Sequence, residues 1–337
     1  MANLGKVYIK ERKLDRAEEI YQRVWLGYSK TLGADNEATK KTKERHENIG
    51  RIGYGLMGLT RPWVPVEYPI AAKIMRTALE QGANFRNGGI HYGTPTANSL
   101  HLLKYYFTQY PEDVDKVVLS IKGGYGMATH SPNGTSEGVR ASVETALSVL
   151  DGVKKINIFE CARVDPIVPI ETTIGALAQL VVEGKIGGIG LSTLSAATIC
   201  RAHAVHPIAG AEIELSLFTP EVLMNGVAET CRELNIPIIA YSPVARGWLA
   251  GQLHQFEDLS ESDMRRHLSR FKREAFENNA KLAEAVRAVA KRKGVTVPQV
   301  AMPWVSAQGA IPIPGATTEE RVRENCTRVE LDEMDLL

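Results

Sequence analysis

From Ile49 onward, short apolar runs alternate with stretches in which apolar residues recur at three- and four-residue steps. Runs bounded by turn residues fit buried strands, and the longer period fits helices packed on one face. The strand-like runs are RIGYGLMG, ANFRNG, KVVLSIKGG, KINIFECAR, IGGIGLST, AEIELSLF, IPIIAYSPV and AIPIPG. Between them lie IAAKIMRTALEQG, EGVRASVETALSVLDG, IETTIGALAQLVVEGK, AATICRAHAV, GVAETCRELN and NNAKLAEAVRAVAKRKG. Several of these end in a glycine suited to a helix C-cap. Eight strands alternating with helices predict an α/β fold, a (β/α)8 TIM barrel over residues 49–337. The rival, an open doubly wound sheet, usually carries G-x-G-x-x-G after its first strand, and GYGLMGL lacks that form.

Residues 1–48 follow only the helical period. Leu4, Val7, Tyr8, Leu14, Ala17, Ile20, Tyr21, Val24 and Leu32 predict a helical hairpin over 3–11 and 14–31, with Gly33 as a stop. The stretch resembles one tetratricopeptide repeat, on Leu4, Gly5, Tyr8, Leu14, Ala17, Glu18, Tyr21 and the closing LGADNEAT. One repeat cannot bury its own apolar face. This short all-helical N-terminal extension is therefore expected to dock on the barrel, on a second copy or on a protein partner, or else to stay frayed. ATKKTKERHEN after it reads as a polar linker.

Composition narrows the function. Apolar residues are 44% and charged residues 23% of 337, an ordinary globular balance. A net charge of +1 supplies no bulk attraction to nucleic acid or anionic membrane. No apolar run nears the roughly 18–20 residues of a membrane span, and MANLGKVYIKERK lacks a signal-peptide core. A cytoplasmic protein is expected. Cys161, Cys200, Cys231 and Cys326 form no C-x-x-C pair and the histidines no H-E-x-x-H, so free thiols and no metal are expected.

In a barrel the chemistry gathers at the C-terminal strand ends. Those ends carry Asn87, His91 and Tyr92 (second), Lys122 (third), Arg163 and Asp165 (fourth), Ser192 (fifth), Glu212 and Glu214 (sixth) and Ser242 (seventh). After the eighth comes PGATT, ahead of Arg321 and Asn325. An ammonium beside a phenol favours the phenolate and lowers the tyrosine pKa. Tyr92 and Lys122 could thus form the proton donor and its activator for carbonyl reduction. Both residue types are also common in ordinary barrel loops. Arg163 reads as an oxyanion or phosphate ligand, or else as an ion pair with Asp165.

From Ile49 on, the chain resembles the aldo-keto reductases, and within them the fungal pyridoxal reductase branch. The resemblance rests on GRIGYGLMGLT, VVLSIKGG, FECARVDP, VVEGKIGGIGLS, IPIIAYSPVARGWLAG and IPIPGATTEERVRENC, spread along the barrel. It implies NADPH lying across the strand ends and a small carbonyl substrate. Gly315, Thr317 and Arg321 would hold the adenosine 2′-phosphate and Asn325 the adenine. Ser192 would bond the nicotinamide amide, while Ser242 and Arg246 would follow the pyrophosphate and ribose. Glu212 and Leu215 would border the nicotinamide, with Leu215 where the family has a stacking tyrosine.

The family's catalytic Asp, Tyr, Lys and His fall on Asn87, Tyr92, Lys122 and Ala162. The branch also has Asn and Ala at the two altered positions. Within FRNGGIHYG, Arg86, Ile90 and His91 depart from the branch's Trp, Glu and Phe. His91 could supply an imidazole. The resemblance implies reduction of a small aldehyde or ketone, pyridoxal-like or from secondary metabolism, with Tyr92 as acid, Lys122 as activator and Asn87 as a positioning group. Two other readings stay open. One is a redox-neutral isomerase, cyclase or dehydratase using Tyr92, Lys122 and His91. The other is a non-catalytic binding or scaffold protein acting through residues 1–48.

Overall fold

A computed structural model of the chain describes residues 49–127, 129–250, 253, 255–261, 263–332 and 335. The helical hairpin expected in residues 1–48 lies outside them. The strand-like runs form β1 Gly53–Gly55, β2 Phe85–Gly89, β3 Val118–Gly123, β4 Ile158–Cys161, β5 Ile189–Ser192, β6 Ile208–Glu214, β7 Ile238–Tyr241 and β8 Ala310–Pro312. They make one eight-stranded sheet in chain order, every neighbour parallel. At the seam the Gly55 N–H donates to the Pro314 carbonyl (3.0 Å) and the Tyr54 hydroxyl to that of Ala316 (2.6 Å). A Cβ on Gly55 would stand 3.1 Å from the Ile313 oxygen, so glycine lets the seam draw together.

The helices are α1 Tyr68–Glu80, α2 Ser99–Gln109, α3 Ser136–Leu150, α4 Ile170–Val182, α5 Ala196–Val205, α6 Val227–Glu233, α7 Arg273–Lys293, α8 Val297–Ala307 and α9 Glu319–Cys326. Asn98, Thr135, Ser195 and Thr318 cap α2, α3, α5 and α9 by accepting from backbone N–H groups two or three residues on. Outward-facing strand residues such as Leu119, Ile121, Leu191, Ala211 and Ile213 pack with the helices into the main core. A second core surrounds Trp248, which stacks with Phe218 and Phe271, under the segment between β7 and α7. Among the described residues no helix is long and apolar enough to cross a membrane.

Inward-facing side chains form layers. Phe85, Val118, Ile158, Ala209, Ile239, Ile311 and Ile313 plug one end with Ile49. One pleat further along, the interior turns polar, with Asn87, Ser120, Glu160 and Glu212 all buried. Glu212 reaches this layer through an irregularity. The pairing of β6 with β5 runs Ile208 to Ile189 and then Gly210 to Gly190, leaving Ala209 as an extra residue. Strict alternation from Ala209 would send residues 211 and 213 inward; the bulge sends Glu212 there instead.

Candidate active site

Lys122, near the end of β3, is buried, with its Nζ donating to Asn87 Oδ1 on β2 at 2.8 Å. The same ammonium makes a buried ion pair with Glu212 of β6. Asn87 is held from both sides. Its oxygen takes the ammonium, and its Nδ2 donates to Glu212 Oε2 (2.5 Å) and to Glu160 Oε1 of β4 (3.3 Å). The Ser120 hydroxyl also donates to Glu160. Burial alone would pull the lysine pKa down, but the neighbouring acids, Glu212 first, outweigh it and hold the ammonium above the usual range. Lys122 is a cation in the resting site.

Tyr92 comes from a turn closed by its own N–H to the Gly89 carbonyl at 3.1 Å. Its ring centroid lies 5.5 Å from Lys122 Nζ. Burial raises the phenol pKa and Lys122 lowers it, but Glu212 adds to burial and the net effect is upward. The lowering expected from the ammonium is present and outweighed. Tyr92 therefore stays a protonated phenol at neutral pH, the form that can donate.

His91 and Tyr92 both face Gly89, whose added Cβ would meet His91 Cε1 and Tyr92 Cγ at 3.3 Å each. Because β2 ends at Gly89, strand alternation no longer separates the two side chains. Their rings meet edge-on at 4.7 Å, and His91 lies 5.7 Å from Tyr125. His91 Nδ1 is buried without a partner among the described residues. Burial, then Lys122, then Arg163 push its pKa from 6.5 down to about 4, so the imidazole is neutral in the resting site. Between those values the unfolded chain binds more protons, so stability rises with pH through this window and is lost as pH falls toward 4. The His91→Phe variant is expected to lose less thermal stability over that acid interval, read as Tm against pH.

The remaining expected residues lie along the rim. Arg163 is exposed, donates to the Ala162 carbonyl (2.5 Å) and makes no ion pair with Asp165. Asp165 instead accepts from the N–H groups of Gly134, Ile167 and Val168. Ser192, at the end of β5, has a buried hydroxyl with no partner among the described residues. Thr193, Ser242, Ala245 and Arg246, just beyond β5 and β7, all take left-handed backbone angles. Non-glycine residues in that region concentrate at ligand sites. Arg246 and Arg270 pair with Glu214 at 3.6 and 2.9 Å. Gly315 and Thr317 lie in the turn after β8, Arg321 is exposed in the first turn of α9, and Asn325 is buried further along it. Leu215 is fully buried and presents no face at the mouth. Glu212 lies under Lys122, one pleat inside the rim.

The family model described as Aldo/keto reductase family matches residues 51–336. The chain belongs to the aldo/keto reductase family. Curated relatives place it near fungal members. It is 44% identical over 293 residues to a probable pyridoxal reductase 2 of Schizosaccharomyces pombe, covering 84% of this chain and 87% of that protein. It is 36% identical over 311 residues to a putative pyridoxal reductase of Saccharomyces cerevisiae, covering 82% and 88%. A glycerol dehydrogenase from Gluconobacter oxydans superimposes with a TM-score of 0.76 at 20% identity, covering 85% of this chain and 89% of that one, a likeness of fold. This aldo/keto reductase is an oxidoreductase, and its family reduces carbonyls with NAD(P)H.

The acid that pairs with the lysine of this aldo/keto reductase arrives from an unexpected strand. Asn87 and Ala162 stand where the family motif has Asp and His, yet Lys122 is not left unpaired, because Glu212 crosses the barrel to meet it. Ser120 and Glu160 were not among the expected site residues. Glu160 had one visible signal, a charge in the middle of the apolar run KINIFECAR. The rim also suits a nicotinamide. The orphaned Ser192 hydroxyl is the kind of group a carboxamide satisfies.

Proposed function

We propose that this chain is an NADPH-dependent reductase of small aldehydes or ketones, with pyridoxal-like aromatic aldehydes as the substrate class and Tyr92 as the proton donor. The observation that carries this reading is the contact between a protonated, half-buried phenol and a buried ammonium at the barrel mouth. A reduced nicotinamide, when bound, would supply the hydride. Tyr92 gives its proton to the carbonyl oxygen, Lys122 stabilises the developing charge, and Asn87 orients Lys122. Ser192 would bond the carboxamide, and Ser242 and Arg246 would follow the pyrophosphate. Gly315, Thr317, Arg321 and Asn325 would hold the adenosine phosphate end beside the start of α9. Arg163, beside neutral His91, suits an anionic or polar substituent on the substrate.

Fluorescence titration with NADPH, followed by aldehyde-dependent NADPH oxidation with pyridoxal and a panel of aromatic aldehydes, tests the proposal. Saturable binding with aldehyde-dependent oxidation is expected. No saturable binding at millimolar cofactor would sink it. The neutral, unpartnered imidazole beside Tyr92 favours one second reading, a redox-neutral proton transfer between these two groups. It predicts turnover with no nicotinamide present.

A further inference from the structure

The barrel interior holds one carboxyl group more than the chemistry above employs. Glu160 is buried and makes no ion pair among the described residues, since the Lys122 ammonium bonds Asn87 and Glu212. One oxygen of Glu160 accepts from Ser120 and, at 3.3 Å, from Asn87 Nδ2. The other is buried and meets no donor among the described residues. Glu160 and Glu212 both reach the same amide nitrogen of Asn87. The space is made for it. A Cβ on Gly190 of β5 would fall 2.4 Å from Glu160 Cγ.

The surrounding groups leave the charge uncompensated. Beneath lies the apolar plug of Phe85, Val118, Ile158 and Ile239. Cys161 adjoins it on β4, and Tyr92 lies close enough to feel its charge. His91 is neutral, and Arg163 is exposed. Two ionised carboxylates against one ammonium would bury a bare negative charge with an unbonded oxygen, and such a site takes up a proton instead. Burial and then Glu212 hold the Glu160 carboxyl well above the usual range, against the opposing pull of Lys122 and Ser120.

We propose that Glu160 and Glu212 share one proton, resting on Glu160, and that this pair is the internal proton reserve for Tyr92 and takes over the charge of the family's missing aspartate. Glu160 is a positioning residue, acting through Glu212 and Lys122. The proposal rests on the reading of Tyr92 as proton donor. As the Tyr92 O–H bond breaks, an O–H bond forms on the substrate oxygen. The phenolate then takes a proton from the Lys122 ammonium, while Glu160 gives its proton to the Glu212 carboxylate, which passes it on to the Lys122 amine. The chain ends with both acids ionised and one proton fewer, which water at the mouth returns after product leaves. No electrons pass through the chain. Asn87 is then the fitting residue at its position, because an aspartate would set a third carboxylate against the pair.

Infrared spectroscopy of the full chain without added ligand tests the resting proton. A carboxylic acid C=O band is expected at neutral pH, fading as pH rises and absent in Glu160→Gln. Ser120→Ala removes a donor that favours the ionised form, so the band should persist to higher pH in that variant. The raised carboxyl also predicts that stability falls as pH rises above the ordinary glutamate range, because the native state then holds the extra proton. Glu160→Gln should flatten that slope and lower kcat about tenfold, less than the ~10²–10⁴-fold of a direct general acid because Glu160 acts through two other groups, with NADPH affinity unchanged. No acid band at neutral pH, or wild-type kcat and pH profile in Glu160→Gln, would overturn the proposal. Full activity in Tyr92→Phe with the band intact would instead overturn only the proton-donor reading.

Discussion

The double variant Glu160→Gln/Glu212→Gln should lose about 3–5 kcal/mol of folding stability, the range for stripping a buried ion of its partner. Each single variant should cost about 1 kcal/mol, because the two acids can substitute for one another. With Glu212 neutral, Glu160 has no neighbouring charge forcing it to stay protonated, and it can ionise to face Lys122 from the same Asn87 hydrogen bonds. With Glu160 neutral, Glu212 keeps its ion pair. Only the double change leaves the Lys122 ammonium alone in the barrel, where burial then drives its pKa down. Denaturant unfolding of the four species forms a double-mutant cycle. Simple additivity would show that the two carboxyls do not act as a unit. Asn87→Asp belongs to the same logic. Restoring the family's aspartate here is expected to lower activity, since it adds a buried negative charge to a cluster that already has its counter-ion.

Removing the Tyr92 hydroxyl by substitution with Phe should reduce kcat by about 10²–10⁴-fold, the usual contribution of a positioned general acid. The aromatic ring keeps its edge contact with His91 and its place over Lys122, so packing changes little. NADPH affinity, read by fluorescence titration, should hold within a few-fold. A variant that kept more than a tenth of wild-type kcat would remove Tyr92 from the proton-donor role. The pH dependence supplies a check. Because burial and Glu212 raise the Tyr92 pKa, activity should persist through neutral pH and decline only on the alkaline side.

Much of the barrel was legible because each strand announced itself locally. KVVLSIKGG is a continuous apolar run ending in glycines, and it became Val118–Gly123. AATICRAHAV became the helix Ala196–Val205 with Ser195 as its cap. The neighbourhood of Tyr92 and Lys122 was also legible, since barrel topology alone puts the ends of adjacent strands side by side. That His91 and Tyr92 share one face depends on β2 ending at Gly89, after which the strand's alternation of faces no longer applies, and no local pattern in FRNGGIHYG marks that end. Nor did the motif reveal a partner for Lys122, because the acid belongs to a strand 90 residues away.

What the sequence determined by itself is the order of strands and helices, and with it the rim on which Tyr92, Lys122, Ser192, Ser242 and Arg321 are arrayed. Hydrophobic period and caps are short-range properties, readable within a few residues of chain. The tertiary structure alone decided which way Glu212 points. In AEIELSLF the period-two pattern cannot say whether Glu212 or Ile213 faces inward, since a slip of one residue reverses the faces of a strand. The extra residue at Ala209, visible only in the pairing of β6 with β5, turns Glu212 toward Lys122. That turn gives the barrel a counter-ion where the motif shows an asparagine.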